Sequence, residues 1–474
     1  MSSDWPKVKL VDYCDKIGSG ATPRGGSKVY LDSGEVSLVR SQNVYNHGFD
    51  YDGLVYIDDE AAEKLSNVEL KENDVLINIT GDSVARVCMV PDDVLPARVN
   101  QHVSILRPKY GSLDPRFLRY SLVNYENQYK LLAIASAGGT RKAITKGHLE
   151  DFEISLPDLD YQNEVSEILS TFDQKIHLNQ QTNETLEAMA QAIFKSWFVD
   201  FDPVLAKIEA KSGGRDPNRA AMAAISACTK VSADGAVLWD ETEAALDQKL
   251  VRMSDAQQQQ LSNTAQLFPD ELEESDIGEV PKGWGVKPFY DTIEIIGGGT
   301  PKTKIDEYWD GDILWYSVVD APSENDIFVI DTEKKITKTG LDNSSAKLVD
   351  TGTTIISARG TVGKLALTPK PMTYNQSCYG LRSKNDCPSF NFYKTKQLVE
   401  SLKRGSHGSV FDTITQKTFK TIDIVQPPEN LEKRFDDSVD GIMSKIQKNL
   451  EESSTLNQLR DTLLPKLISG EFEV

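Results

Sequence analysis

The sequence predicts an α+β chain in which two strand-rich domains alternate with two long helices. The helices are expected to pair within the chain as an antiparallel coiled coil. Two observations carry this expectation: a heptad seam that occurs twice, and shorter motifs that recur in the same order in both halves. Val165, Leu169, Phe172, Ile176, Asn179, Asn183, Leu186, Ala190, Ile193 and Trp197 follow a 4-3-4-3 spacing. Phe435, Val439, Ile442, Ile446, Asn449, Ser453, Leu456, Arg460, Leu463 and Leu467 follow the same spacing, each 270 residues after its counterpart. That period places one narrow apolar stripe on each helix. Asn179 and Asn449 hold equivalent core positions, where a polar residue costs stability but can fix register and partner.

The segments before the helices repeat as well. Ile17-Gly18-Ser19-Gly20-Ala21-Thr22-Pro23 matches Ile296-Gly297-Gly298-Gly299-Thr300-Pro301 with one residue of slip. Trp5 matches Trp284, Asn100-Gln101 matches Asn375-Gln376, Ile144-Thr145 matches Ile414-Thr415, and Pro157 matches Pro427. Two copies of this length are a duplicated domain and not a solenoid array. The helices agree more closely than the domains. A shared scaffold with two divergent readers and plain drift after duplication both fit.

The elements follow in order. Residues 1–156 form the first strand-rich domain, with β-type runs at 35–39 and 74–79 bounded by Gly, Asp and Pro, and a helix from Pro115 to Leu132. Residues 157–202 carry the first seam helix, from about Tyr161 to Phe198, with Pro203 as its stop. Residues 203–281 are a connector, too long for a bare loop and so partly helical. Ala220–Ala224 and Ala244–Leu246 favour helix, and Gln257–Gln260 is low-complexity. Residues 282–428 form the second strand-rich domain. Residues 429–474 carry the second seam helix, from about Asn430 to Leu464, ending near Pro465 and Gly470.

Composition narrows the function. Of the 474 residues, 39% are hydrophobic, enough for real cores. No apolar run approaches the roughly 18 residues of a membrane span. The first residues lack a basic stretch followed by an apolar one, so no signal peptide is expected. Five scattered cysteines without a Cys-x-x-Cys fit reduced thiols in a cytoplasmic protein, not a disulfide framework or a zinc site. The net charge of −20 taken alone favours a chain that never touches nucleic acid. The stretch 202–279 supplies much of it, with 15 acids against 7 bases. Basic residues gather instead in expected loops, so local basic faces remain open.

The motifs of several chemistries are missing. Gly297–Lys302 lacks the Gly-Lys-Ser/Thr ending of a phosphate loop, and Gly360-Thr361-Val362-Gly363-Lys364 is too short for one and reads as a tight turn. There is no Asn/Asp-Pro-Pro-aromatic segment, no His-Glu-x-x-His, and no metal-ligand spacing. No catalytic residue and no metal ligand is assigned. What remains are amide and basic side chains in loops, the residue types that read base edges and neutralise phosphates. The candidates for DNA contact are Arg24, Arg40, Gln42, Asn43, Arg98, Arg141, Lys142, Lys146, Lys302, Lys304, Arg359, Lys403 and Arg404. Arg141, Lys142, Lys146, Lys403 and Arg404 are expected in Gly-rich loops just before the helices, where they would contact phosphates. Asn100, Gln101, Asn375 and Gln376 recur in both halves, which argues for a role in the domain fold. The candidate seam comprises Val165, Leu169, Phe172, Ile176, Asn179, Leu186, Ile193, Phe435, Val439, Ile442, Ile446, Asn449, Leu456 and Leu463.

Several runs together resemble the specificity subunit of Type I restriction-modification enzymes. They are Leu156–Gln162, Ile193–Pro203, Leu267–Pro269, Glu279–Trp284, Tyr308–Ile313 and Leu463–Phe472, and the likeness covers essentially the whole chain. Pro427-Pro428-Glu429-Asn430 departs from the repeat in lacking a glutamine that matches Gln162. The resemblance implies two target-recognition domains, each reading one half of a bipartite double-stranded DNA site. It implies no catalysis and no cofactor in this chain. Two modification (methyltransferase) subunits would bring S-adenosylmethionine, and restriction subunits that could join them would use ATP and Mg²⁺. The acidic balance is then tolerable if partner subunits help enclose the DNA. The paired helices would act as a spacer. From Val165 to Trp197 is about 48 Å of helix, matched to half-sites one DNA turn apart and a gap of roughly five to eight base pairs. The rival readings are a structural adaptor that presents two protein-binding domains on a coiled-coil spacer, and a self-contained nuclease or methyltransferase.

Overall fold

The computed structural model describes residues 5–137, 142–231, 237–323, 326–405 and 413–472. The chain divides into two compact units, residues 1–178 with 453–474, and residues 179–452. Each contains one strand-rich domain and half of each long helix.

The two domains share one topology. In the first, a four-stranded antiparallel sheet has the order Cys14–Ser19, Val103–Pro108, Val75–Asn78, Val87–Met89. A three-stranded sheet has Val36–Val39 between Val55–Ile57 and the parallel Ala97–Val99. In the second, Ile293–Gly297, Cys378–Ser383, Thr354–Ser357 and Leu365–Leu367 repeat the first order. Lys334–Ile336, Trp309–Tyr316 and the parallel Thr373–Tyr374 repeat the second. The central strands are buried throughout, which is why Val75-Leu76-Ile77 reads as a continuous apolar run and Thr354-Ile355-Ile356 as a β-branched one, without polar-apolar alternation. The segment Gly360–Gly363 is the tight turn expected of it, with positive φ at both glycines and Lys364 N–H donating to Ser357 Oγ at 2.8 Å.

The expected helix from Pro115 to Leu132 is two helices, Pro115–Val123 and Tyr125–Ser136. Asn124 between them is non-helical. Two carbonyls freed by the break are taken up by side chains: Asn127 Nδ2 donates to Ser121 O and Gln128 Nε2 to Leu122 O, both at 2.8 Å.

The first long helix runs Leu159–Phe198 and the second Glu429–Ser469. In the first unit, Val165, Leu169 and Phe172 share a core with Leu463, Leu464, Leu467 and Ile468. In the second, Leu186, Ala190, Ile193, Phe194 and Trp197 share one with Leu431, Phe435, Val439, Ile442, Met443 and Ile446. Early residues of one helix meet late residues of the other, so the pairing is antiparallel. Ile176 is buried, and Leu456 is half-buried. The buried stripe is wider than the heptad seam, because Phe194, Met443 and Leu464 are more buried than their seam neighbours Ile193, Ile442 and Leu463. A straight helix drifts about 20° per heptad against a 3.5 repeat, and each helix half also packs on a strand-rich domain.

The seam asparagines lie in the second unit. Asn449 Nδ2 donates to Asn183 Oδ1 at 2.8 Å, and Asn179 Nδ2 donates to Glu452 Oε2 at 2.9 Å and to the Asn449 carbonyl at 3.3 Å. Antiparallel crossing therefore pairs the Asn449 side chain with Asn183 and not with its sequence counterpart Asn179.

Two terminus expectations are corrected. Pro465 does not end the second helix, which continues to Ser469 and closes where Gly470 takes φ 68° and Glu471 N–H bonds Lys466 O at 3.0 Å. The proline forfeits one bond to the Asp461 carbonyl, on an exposed residue that water can serve. Pro203 does not merely stop the first helix. It opens Asp202–Ser212, where its missing N–H costs nothing, and the break itself lies at Phe201 with φ 55°. The connector continues with helices Pro217–Ile225, Trp239–Val251 and Asp255–Gln266 and the hairpin Leu272–Ser275/Gly278–Pro281. It has its own small core around Met222, Leu246 and Leu261.

Each strand-rich domain is tied to a long helix through the N-terminus of one domain helix. In the first unit Asp114 Oδ1 accepts from Phe117 N–H at 2.9 Å and from Ser166 Oγ at 2.9 Å, while Gln162 Oε1 accepts from Asp114 N–H. In the second unit Cys387 stands where Asp114 does, and the carboxylate comes from Asp436, which is Ser166 plus 270. It accepts from Phe390 N–H at 2.7 Å and Ser389 N–H at 3.1 Å. Glu432 stands at the position of Gln162 and accepts from Asn385 Nδ2, so the second helix start keeps a polar anchor despite the missing glutamine. Below these ties the units differ. In the first, Asp173 binds Arg119 and Arg460 and accepts from Tyr120 Oη at 2.7 Å. In the second, rings of Phe194, Phe198, Phe390, Tyr393 and Phe435 pack within about 6 Å of one another.

The two helix carboxylates carry opposite pH signatures. Burial works against ionised Asp173, but Arg119 and Arg460 overcome it and hold its pKa below the ordinary value. Its stabilisation is therefore present above pH ~4 and is lost as pH falls through the depressed value. Burial pushes Asp436 up to about 7 against the two N–H bonds that favour its ionised form. Its contribution is present below the unfolded value and is lost as pH rises towards 7. Urea unfolding should show D173N costing about 3–5 kcal/mol at pH 7, because Arg119 is left buried without its partner, with the deficit shrinking in acid. The D436N variant should gain on the parent between pH 4 and 7. Parallel pH profiles for parent and variant would contradict either assignment.

Candidate nucleic-acid interface

In each domain several loops converge at one end of the sheets, and their backbone bonds match pair by pair. After the strand Val36–Val39 comes the turn Ser41–Asn43, in which Asn43 Oδ1 accepts from Arg40 N–H at 3.0 Å. Its counterpart is Val318–Asp320, in which Asp320 Oδ2 accepts from Ser317 N–H at 2.8 Å. The second loop holds Thr80, bridged to Ala143, and its counterpart Arg359, bridged to Thr413. The third is the Asn-Gln turn. Asn100 Oδ1 accepts from His102 N–H at 3.0 Å, and Asn375 Oδ1 accepts from Ser377 N–H at 3.0 Å. The Gly-rich loop lies against this turn, with Ala21 N–H on Val99 O and Gly299 N–H on Tyr374 O. A Cβ on Gly20 would lie 2.0 Å from Val99 O, and one on Gly298 would lie 2.0 Å from Asn375 O. The recurrent glycine is therefore required by close backbone approach.

The loop ends of the first domain enclose a cleft of about 950 Å³ lined by Gln42, Tyr45, Thr80, Arg86, His102 and Lys142, among others. Thr80 Oγ1 and His102 Nδ1 are 2.6 Å apart, and Gln101 Nε2 and His102 Nε2 are 2.9 Å apart. The Arg86 guanidinium lies over the Tyr45 ring at 4.3 Å. Arg86 and Lys142 against Asp82 give the cleft wall a cationic balance, and its amides and hydroxyls can both donate and accept. Such a surface can take a phosphate backbone and hydrogen-bond base edges.

Of the expected contact residues, Gln42 and Lys142 are brought together here, both exposed. Arg359, Lys302 and Lys304 are exposed on the matching loops of the second domain. Asn43 and Arg98 are corrected, because both are buried and committed inside the domain. Asn43 Nδ2 donates to the Asp50 and Asp52 carbonyls. Arg98 donates to the Ala62 and Ala97 carbonyls and pairs with Glu69. Arg40 is half-buried, donating to Gly53 O and lying over the Tyr30 ring. Arg24 is exposed but lines a separate hollow with Asp58, Glu60 and Lys64. Lys146 opens a short helix and pairs with Glu150 at 3.4 Å. Lys403 and Arg404 are not in a loop. They occupy the last turn of Pro388–Gly405, where cations suit the negative helix end. Arg141 lies outside the described residues.

Thr80, Arg86 and His102 were missed by reading along the chain, because strand pairing brings them to Gln42. The one available signal was the repeated Asn100-Gln101, which His102 follows directly. Among the described residues no group of three or more His, Cys, Asp or Glu could hold a metal. None of the described helices is long and apolar enough to cross a membrane.

One scaffold built twice, with matched frameworks and different exposed tips, defines a duplicated recognition protein. The chain belongs to the Type I restriction modification DNA specificity domain family, whose model matches residues 2–188 and 281–463. It is 28% identical to the Type I restriction enzyme HindI specificity subunit of Haemophilus influenzae over 99% of this chain and 100% of that protein. It is 32% identical to the MjaIX specificity subunit of Methanocaldococcus jannaschii over 43% of this chain and 46% of that one. The fold is similar to the crystal structure of a Type I restriction-modification S subunit from M. genitalium, with TM-score 0.54 and 15% identity over 98% of this chain and 96% of that one.

Replacing Gly20 by Ala forces a methyl group into the Asn100 turn. Overpacking of this kind costs about 1–3 kcal/mol, so the thermal midpoint of the first unit should fall and the His102–Thr80 contact should be displaced. Differential scanning calorimetry with NMR of the His102 ring checks both. An unchanged midpoint and ring signal would mean the close approach is not a constraint.

Proposed function

We propose that this chain recognises a bipartite double-stranded DNA target, with each strand-rich domain reading one half-site. One observation carries the reading: the turns and bridges that frame the loop cluster are rebuilt in both domains, while Gln42, Thr80 and His102 of the first are replaced by Val319, Arg359 and Ser377 in the second. A framework kept constant beneath variable polar tips is the arrangement expected where two related but different sequences are read. The chain itself performs no chemistry in this reading and binds no cofactor. It docks two modification subunits, which carry S-adenosylmethionine, and can further recruit restriction subunits that use ATP and Mg²⁺, all in a prokaryotic cytoplasm. Partner subunits that help enclose the DNA make the net charge of −20 compatible with binding.

The test is single-molecule methylation mapping of DNA from cells that co-express the chain with its cognate methyltransferase, against cells that lack the chain. A split adenine motif that depends on the chain is the expected result. Identical maps in the presence of a stable, active complex would defeat the reading and favour a structural adaptor. Within this complex, K142A should weaken DNA binding without changing the motif and should reduce the salt slope by about one, as a phosphate contact would.

A further inference from the structure

The Asn-Gln turns contain a residue whose recurrence the framework does not explain. Asn100 and Asn375 make the same bond in both domains, Oδ1 to the N–H two residues on, at 3.0 Å in each. That bond accounts for the asparagines. Gln101 and Gln376 are exposed, and their side chains do different things. Gln101 Nε2 meets the neighbouring His102 ring, whereas Gln376 Oε1 accepts from the Thr300 hydroxyl across the Gly-rich loop. A residue kept for the fold would keep its partner, and this one does not. Around it the other residues at the loop tips change from Gln42 to Val319, from Thr80 to Arg359 and from His102 to Ser377.

Resting on the proposed DNA-reading role, we infer that Gln101 and Gln376 make the same base contact in the two half-sites, to the major-groove edge of an adenine. A primary amide supplies one acceptor and one donor side by side, the complement of adenine N6–H and N7. Each glutamine is exposed and uses one amide atom in an intramolecular bond, Gln101 Nε2 with the His102 ring and Gln376 Oε1 with the Thr300 hydroxyl, so DNA that displaces this contact can engage both atoms. The contact places an A·T pair at the equivalent position of both half-sites. The differing neighbours then supply the readout that separates the two halves, with the Arg359 guanidinium suited to a guanine edge or a phosphate and the exposed Val319 side chain to a thymine methyl.

The experiment is methylation mapping of the intact complex with the parent chain, Q101A, Q376A and the double variant. Both side chains are exposed, so the variants should assemble, and co-purification of the methyltransferase confirms it. In Q101A one position of one half-site should relax from adenine to several bases, with correct sites methylated about ten-fold more slowly. In Q376A the corresponding position of the other half-site should relax, and the double variant should relax both. Unchanged motifs and rates in a complex whose methylation depends on the chain would overturn this inference and leave the DNA-reading role standing. So would a slowing that is uniform across all sequences, the mark of a phosphate contact. Parent maps that do not depend on the chain would overturn the reading role itself.

Discussion

Each strand-rich domain is fastened to a long helix at the N-terminus of one of its own helices. The helix beginning at Pro115 and the helix beginning at Pro388 each expose N–H groups that no residue of their own can satisfy. A carboxylate meets them in both units, and in both the contact includes the long helix. The source of the charge differs. Asp114 supplies it from the domain, with Ser166 as the helix partner, whereas Asp436 supplies it from the helix, because Cys387 has no carboxylate to offer. Duplication preserved the joint and let the charge change sides. Removing the carboxylate in either unit would strand buried donors, so neither half can drift freely at this point.

The joint explains why the long helices are more than a spacer. Each half-helix packs on its partner helix along one edge of the stripe and on a domain along the other. The first unit fixes the three-way contact with charge, through Asp173, Arg119 and Arg460, and the second fixes it with aromatic rings. The aromatic rings bury no ion pair. The ionic contact requires all three partners and is the more sensitive to acid.

The helices were legible in the sequence because a 3.5-residue period is a long-range signal that survives without knowledge of the fold. Their extra width was not, since the drift towards Phe194, Met443 and Leu464 depends on what lies beside the seam. The duplicated domain was legible from Ile17–Pro23 and Asn100-Gln101; Gly20 and Asn100 recur because close backbone approach and a side-chain cap permit few alternatives. The candidate contact residues were legible only in part. Residue type cannot say which way a polar side chain points, so Asn43 and Arg98 looked like readers although their groups are spent on the Asp50, Asp52 and Ala62 carbonyls. Lys403 and Arg404 looked like loop cations because the Gly that follows masks the end of a helix. His102 and Arg86 drew no notice because only strand pairing brings them to Gln42.

The account stands on each domain being an independent reader welded to its own helix ends. The most direct measurement is the methylation motif of a chimaera in which residues 5–156 are replaced by the corresponding domain of another specificity subunit, with Asp114, Gln162, Ser166 and Asp173 kept or matched. The account predicts that one half of the split motif changes to the donor's and the other half stays that of the parent. A stable, active chimaera in which both halves change together, or neither does, would contradict it.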